Sequence, residues 1–183
     1  MIFVGIDEVG RGCVAGPVVA CAVVINKNFN VPVTDSKLLT KNKRDVLEKS
    51  IKLQCVDFNI SIVDEKIIDE VNIHNASLIA MKNAFMGLGD INQDKIVRCD
   101  GKFIPDIQTN ITAHVKGDLI FPEISAASII AKVYRDFYMS SISRKYSEYG
   151  FDQHKGYLTQ LHLDAIKKFG PCPIHRKSFK PFS

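Results

Sequence analysis

The residues in this sequence best suited to chemistry are four carboxylates, and their placement matters more than their number. Asp7 and Glu8 stand side by side in IFVGIDEVGRGCVAGPVV, between an apolar run and a glycine-rich turn, while Asp100 closes KIVRCD and Asp118 closes HVKGD. Neighbouring carboxylates repel, and beside an apolar run each is costly to keep ionised unless a cation or hydrogen-bond donors compensate. Each acid falls where a predicted strand runs out, and ligands of open α/β sheets gather beyond such ends. If those strands lie side by side the four acids converge, and an all-oxygen set suits a hard divalent cation, Mg²⁺ or Mn²⁺. Four carboxylates holding two such ions support in-line phosphodiester hydrolysis, one ion activating water and the other stabilising the leaving oxygen. Asp-Gly and Gly-Asp are also ordinary turn dipeptides, which accounts for Asp100 or Asp118 taken singly. It does not account for the joint placement.

The glycine turn admits three readings. GRGCVAG fits G-x-G-x-x-A after a strand, the pattern of a dinucleotide-binding turn. That turn must open a helix, whereas here Pro17 leads into VVACAVVI, a β-branched run that predicts a second strand. The remaining readings are a plain hairpin loop built on Gly10, Gly12 and Gly16, or a backbone left bare so that a ligand can approach closely. Basic residues flank the same region: Lys37, Lys41, Lys43 and Arg44 before and into the first predicted helix, and His175, Arg176, Lys177 and Lys180 in the tail. Phosphate contacts from these would position a nucleic acid without reading its sequence. Asp136, beside the helical stripe of Ile129, Val133 and Phe137, is expected behind the metal-binding set rather than in it.

These side chains need a scaffold, and the hydrophobic pattern supplies an α/β one. Strands are predicted at about 2–6 and 18–25, a helix from an N-cap at Thr40, and a half-buried strand in VDFNISIV. A short helix in DEKIIDEVN and a second in IHNASLIAMKNAFMGL follow, then strands ending at Asp100 and Asp118. A long helix is predicted from about Ser125, another from about Thr159 to Phe169, and the tail PCPIHRKSFKPFS reads as irregular. No repeat or long linker is visible, so 1–183 is expected to be a single catalytic domain with a C-terminal helical lobe from about 150. The net charge of +4 fits a polyanionic partner. Five cysteines without C-x-x-C spacing argue against a disulfide framework and a structural zinc site. With no signal-peptide pattern and no apolar run long enough to span a bilayer, a cytoplasmic location is expected, with no membrane association.

In this order, GIDEVGRGCVAGPV, TDSKLL, NIHNASLIAM, CDG, KGD, ISAASIIAKVYRD and GYLTQLH followed by GPCPIHRKSF resemble type 2 ribonuclease H, ribonuclease HII, across nearly the whole chain. DEVGRG, SAASIIAK and HRKSF are specific when found together. The small size resembles the single-subunit bacterial form. The resemblance implies a ribonuclease H-like fold, a five-stranded mixed sheet flanked by helices with a helical C-terminal part. It implies that the catalytic, metal-holding carboxylates are Asp7, Glu8, Asp100 and Asp118, the same four reached from strand ends. It adds Gly10, Arg11, Gly12, Ser36, Lys37 and Tyr157 as substrate-binding residues, the GRG turn and Tyr157 meeting the DNA-to-RNA junction. A 2′-hydroxyl is what separates RNA from DNA at one position, and a glycine turn lets backbone groups reach it. The implied activity is an endoribonuclease that cleaves the RNA strand of RNA·DNA hybrids and cuts 5′ of ribonucleotides embedded in DNA; no obligatory protein partner is inferred. A DNA nuclease or exonuclease with a similar carboxylate cluster, and a non-catalytic nucleic-acid-binding module, are the rival readings.

Overall fold

The computed structural model describes residues 1–33, 36, 39–91 and 94–183. Its sheet has five strands in the order β3-β2-β1-β4-β5, namely β1 Ile2–Val9, β2 Val18–Asn26, β3 Asp57–Val63, β4 Lys95–Asp100 and β5 Ile111–His114. β2 runs antiparallel to both β1 and β3, whereas β1, β4 and β5 are parallel, so the sheet is mixed. Strict alternation gives it two apolar faces. Ile2, Val4 and Ile6 pack with Val18, Ala20, Ala22 and Val24 against helix α2, Glu65–Met86. Phe3 and Val9 join Val19, Cys21 and Val23 on the other face, against α1, Lys41–Gln54, and α3, Pro122–Ile142.

Two local features place α3 over the end of β1. At Gly5 a Cβ would fall 2.1 Å from the carbonyl carbon of Glu123, so only a residue without a side chain lets the helix cross this closely. The buried carboxylate of Glu123 pairs with Arg98 on β4, tying the start of the helix to the sheet. Pro122 occupies the first turn, where its missing N–H costs nothing, so α3 begins three residues ahead of the expected Ser125.

Other boundaries also depart from expectation. β1 continues through Val9, because pairing with β2 persists across Asp7↔Cys21 and Glu8↔Ala20. Asp7 and Glu8 therefore lie within the strand rather than after it. β5 stops at His114, and Asp118 sits on a 3₁₀ turn, Gly117–Leu119, entered through a left-handed Lys116 with φ 59°. The two helices expected between 64 and 86 form one element with a break at Asn72, φ 68°. The Asn72 side chain accepts the N–H of Asn75 at 3.1 Å, capping the second half. After α3 come a 3₁₀ turn, Ser147–Tyr149, and helices α4, Phe151–His154, and α5, Gln160–Phe169. Their apolar cluster includes Ala15 of the glycine loop together with Met139, Tyr149, Phe151, Ala165, Cys172 and Ile174. Among the described residues no helix is long and apolar enough to cross a membrane.

Candidate active site

Strand parity splits the adjacent pair of acids. Asp7 faces α3, where it is 4% exposed and its carboxylate is hydrogen-bonded by Ser128 and by the N–H of Glu8 at 2.7 Å. Glu8 faces α2 and is paired with Arg11 at 3.2 Å. Asp100 ends the neighbouring parallel strand, and its Oδ1 accepts the N–H of Gly117 at 2.7 Å. That bond fixes the 3₁₀ turn carrying Asp118, whose own carbonyl accepts from the hydroxyl of Ser125 on α3. Burial, followed by the charges of Glu8 and Asp100, holds the Asp7 carboxyl well above the usual carboxylate range. Burial also raises Glu8, with Arg11 opposing and Asp100 adding.

An open cleft of about 280 Å³ lies over this end of the sheet, lined by Asp7, Glu8, Asp100, the Gly10-Arg11-Gly12 turn, Ser36, Ser128, Lys132 and Tyr157. The fold thus brings three of the four predicted carboxylates and five of the six predicted substrate-binding residues to one place. Asp118 is not on the cleft wall and adjoins it through Gly117. Lys37 lies outside the described residues. Asp136 is one helical turn from the cleft and pairs with Lys132 at 2.8 Å and Arg44 at 3.6 Å, so it acts through Lys132. Gly10 and Gly12 serve different needs. Gly10 has φ +93°, and a Cβ there would lie 2.2 Å from the Nε of Arg135; at Gly12 a Cβ would meet nothing within 4 Å. Tyr157 is 43% exposed, and its hydroxyl lies against Cys13 behind the turn.

The donor set is all carboxylate oxygen, and its members disfavour one another's charge, which is the environment a hard divalent cation relieves. Among the described residues no group of three or more Asp, Glu, His and Cys side chains is drawn together tightly enough to form a closed cage. With Asp7 and Glu8 on opposite faces of one strand, a cation would have to be met from the strand's end. The residues fit such an ion in chemistry, and their spacing leaves it open to substrate.

One expectation from the sequence is corrected. His175 and Arg176 were expected to touch phosphate, yet they are 1% and 0% exposed. Both are engaged within the fold, and only the neighbouring Lys177 and Lys180 of that cluster reach solvent. Conversely, Ser128 and Lys132 reach the cleft without having been singled out. The signal was present: Ser125, Ser128, Lys132 and Arg135 form a polar stripe at helical spacing through an otherwise apolar segment.

The family model described as Ribonuclease HII matches residues 4–182. A ribonuclease HII of Caldicellulosiruptor bescii is 48% identical over 176 residues, covering 96% of this chain and 84% of the relative. One from Borrelia recurrentis is 49% identical over 179 residues, covering 96% and 97%. Among solved structures, ribonuclease H2 of Pyrococcus horikoshii OT3 superposes with a TM-score of 0.84 at 28% identity, covering 100% of this chain and 95% of that one.

Proposed function

This chain belongs to the ribonuclease HII family, and from that premise we propose that it cuts duplex DNA on the 5′ side of an embedded ribonucleotide, as well as the RNA strand of RNA·DNA hybrids. It is a hydrolytic nuclease of the ribonuclease H class, and divalent-metal dependence is general to that family. The products are a 3′-hydroxyl and a 5′-phosphate. The observation that carries the reading is the meeting of Asp7, Glu8 and Asp100 with the GRG turn and Tyr157 around one cleft.

Asp7, Glu8, Asp100 and Asp118 would hold Mg²⁺ or Mn²⁺, two ions during turnover. When bound, such ions supply an activated water and neutralise charge on the leaving oxygen. The protein's own groups do the rest. The N–H of Glu8 and the hydroxyl of Ser128 orient Asp7, Arg11 steadies Glu8, and the N–H of Gly117 fixes Asp100. Lys132, held by Asp136, offers an ammonium to a phosphate oxygen. The bare backbone at Gly12 admits a ribose, and the Tyr157 ring packs against the adjacent sugar. Ser36, whose hydroxyl lies 3.1 Å from that of Ser128, closes the far wall.

The decisive experiment uses a DNA duplex with one ribonucleotide, its all-DNA counterpart and a continuous hybrid, each with Mg²⁺ or Mn²⁺. Cleavage 5′ of the ribonucleotide, with the all-DNA duplex intact, is the expected result. Comparable cutting of the all-DNA duplex would establish the rival DNA nuclease, and binding without metal-dependent cutting would establish the binding module.

A further inference from the structure

The segment from Gly10 to Pro17 turns its carbonyls inward. Arg176 donates through Nε to Gly16 at 2.9 Å, through Nη1 to Arg11 at 3.0 Å and through Nη2 to Gly10 at 2.7 Å. Arg135, on α3, donates to Pro17 at 2.8 Å, to Ala15 at 3.1 Å and to the carbonyl of Lys155 at 2.8 Å. Both side chains are fully buried. The main chain reinforces them: the N–H of Arg176 donates to Val14 at 2.9 Å, that of Gly16 to Ile174 at 2.8 Å, and Ala15 pairs with His175 as an antiparallel bridge.

A trans peptide sets its N–H opposite its C=O. With the carbonyls of Gly10 and Arg11 held inward on Arg176, the N–H groups of Arg11 and Gly12 are turned outward, toward the cleft that both residues line with Asp7, Glu8 and Tyr157. A cation on the carbonyl end of a peptide also polarises its N–H end. Resting on the reading of the GRG turn as the junction-binding element, we propose that Arg176 is a positioning residue for substrate. With Arg135 beside it, it presents two main-chain N–H donors to the ribose and its phosphate, without touching either.

Arg176→Lys is the central test, because one ammonium cannot reproduce a planar fork that reaches three carbonyls. An N–H that holds substrate and transition state alike acts on KM. The variant is therefore expected to raise KM for a duplex with one embedded ribonucleotide about tenfold, to leave kcat within about twofold, and to change KM on continuous hybrid less. A variant that loses kcat/KM equally on both substrates through kcat alone would overturn the proposal and leave Arg176 a structural residue. If the substitution prevents folding, amide hydrogen exchange of the wild-type protein decides. Arg11 and Gly12 should exchange freely alone and slow when a singly ribo-substituted duplex binds in metal-free buffer; no slowing overturns the proposal. The function reading fails separately, through a wild-type protein that cuts hybrid but leaves embedded ribonucleotides intact. The Arg176→Lys effect on hybrid KM then judges the positioning role, a rise supporting it and an unchanged value refuting it.

Discussion

Two buried polar regions adjoin one another, and the fold treats them in opposite ways. At the sheet end Asp7, Glu8 and Asp100 oppose one another's charge, and the surrounding donors offset only part of that burden. Behind the glycine turn Arg135 and Arg176 are more deeply buried and also repel, burial and then Arg135 lowering Arg176 to about 10, yet every guanidinium nitrogen of the pair is engaged on a main-chain carbonyl. The histidines beside them are matched as neatly. His175 Nδ1 accepts the N–H of Cys172 at 2.9 Å, its Nε2–H donates to His162 Nε2 at 2.9 Å, and His162 Nδ1–H donates to the carbonyl of Tyr157 at 2.9 Å. Charge short of donors suits a counter-ion, whereas polar groups whose every atom is engaged hold a shape.

The contrast breaks most visibly if an acid is removed. Asp7→Asn or Asp100→Asn should lower turnover by about a thousandfold. Asp7→Asn should leave the metal-free thermal midpoint unchanged or higher, since it deletes a charge the fold disfavours. Initial rates at saturating Mg²⁺ check this, and wild-type rates would end the four-carboxylate assignment.

The two glycines of the turn sharpen it next. Gly10→Ala combines a left-handed backbone with a clash on Arg135 and should cost about 3 kcal/mol or more in denaturant unfolding. Gly12→Ala enters open space and should leave stability within about 0.5 kcal/mol, while losing about tenfold more kcat/KM on one embedded ribonucleotide than on continuous hybrid. Tyr157→Ala should shift the same ratio in the same direction. Proportional losses on both substrates would make these residues general architecture.

Acid should act on the engaged region. Burial lowers His162 and His175 to about 4, and lowers His154 as well. Because the folded values lie below the unfolded value near 6.5, the unfolded chain binds more protons between about pH 6.5 and 4. Stability is therefore complete above that window and falls as pH descends through it, the added proton placing hydrogens on both facing Nε2 atoms. A drop of about 5 °C in the thermal midpoint from pH 7 to pH 5 is expected, and a midpoint flat across that range would contradict the neutral-histidine chain. The smallest effect belongs to Lys132→Ala, which should reduce the slope of log affinity against log salt by about one. An unchanged slope would remove Lys132 from phosphate contact.

Much of this was legible in the sequence, for identifiable reasons. The N-cap at Thr40 and the β-branched run of β2 are local signals that tertiary packing did not override. The meeting of Asp7, Glu8 and Asp100 at one cleft was legible because carboxylates beside apolar runs demand an explanation. Illegible were the features decided by distant partners. β1 outlasts its apolar run because β2 continues to pair with it, and a left-handed Lys116 carries Asp118 off the strand. Arg176 reads in sequence as one more basic residue of a basic tail, since a charge carries no mark of whether it will meet solvent or buried main-chain carbonyls.

The bond from Arg176 to Gly10 joins residues 166 positions apart. During synthesis the chain emerges N-terminus first, so the turn beside the first two acids is made well before the residue that braces it. A nascent chain holding Asp7, Glu8, Asp100 and Asp118 but not yet Arg176 would carry the proposed metal-holding set without the brace of the neighbouring turn. On the proposed assignment, the brace of the turn follows all four acids in the order of synthesis.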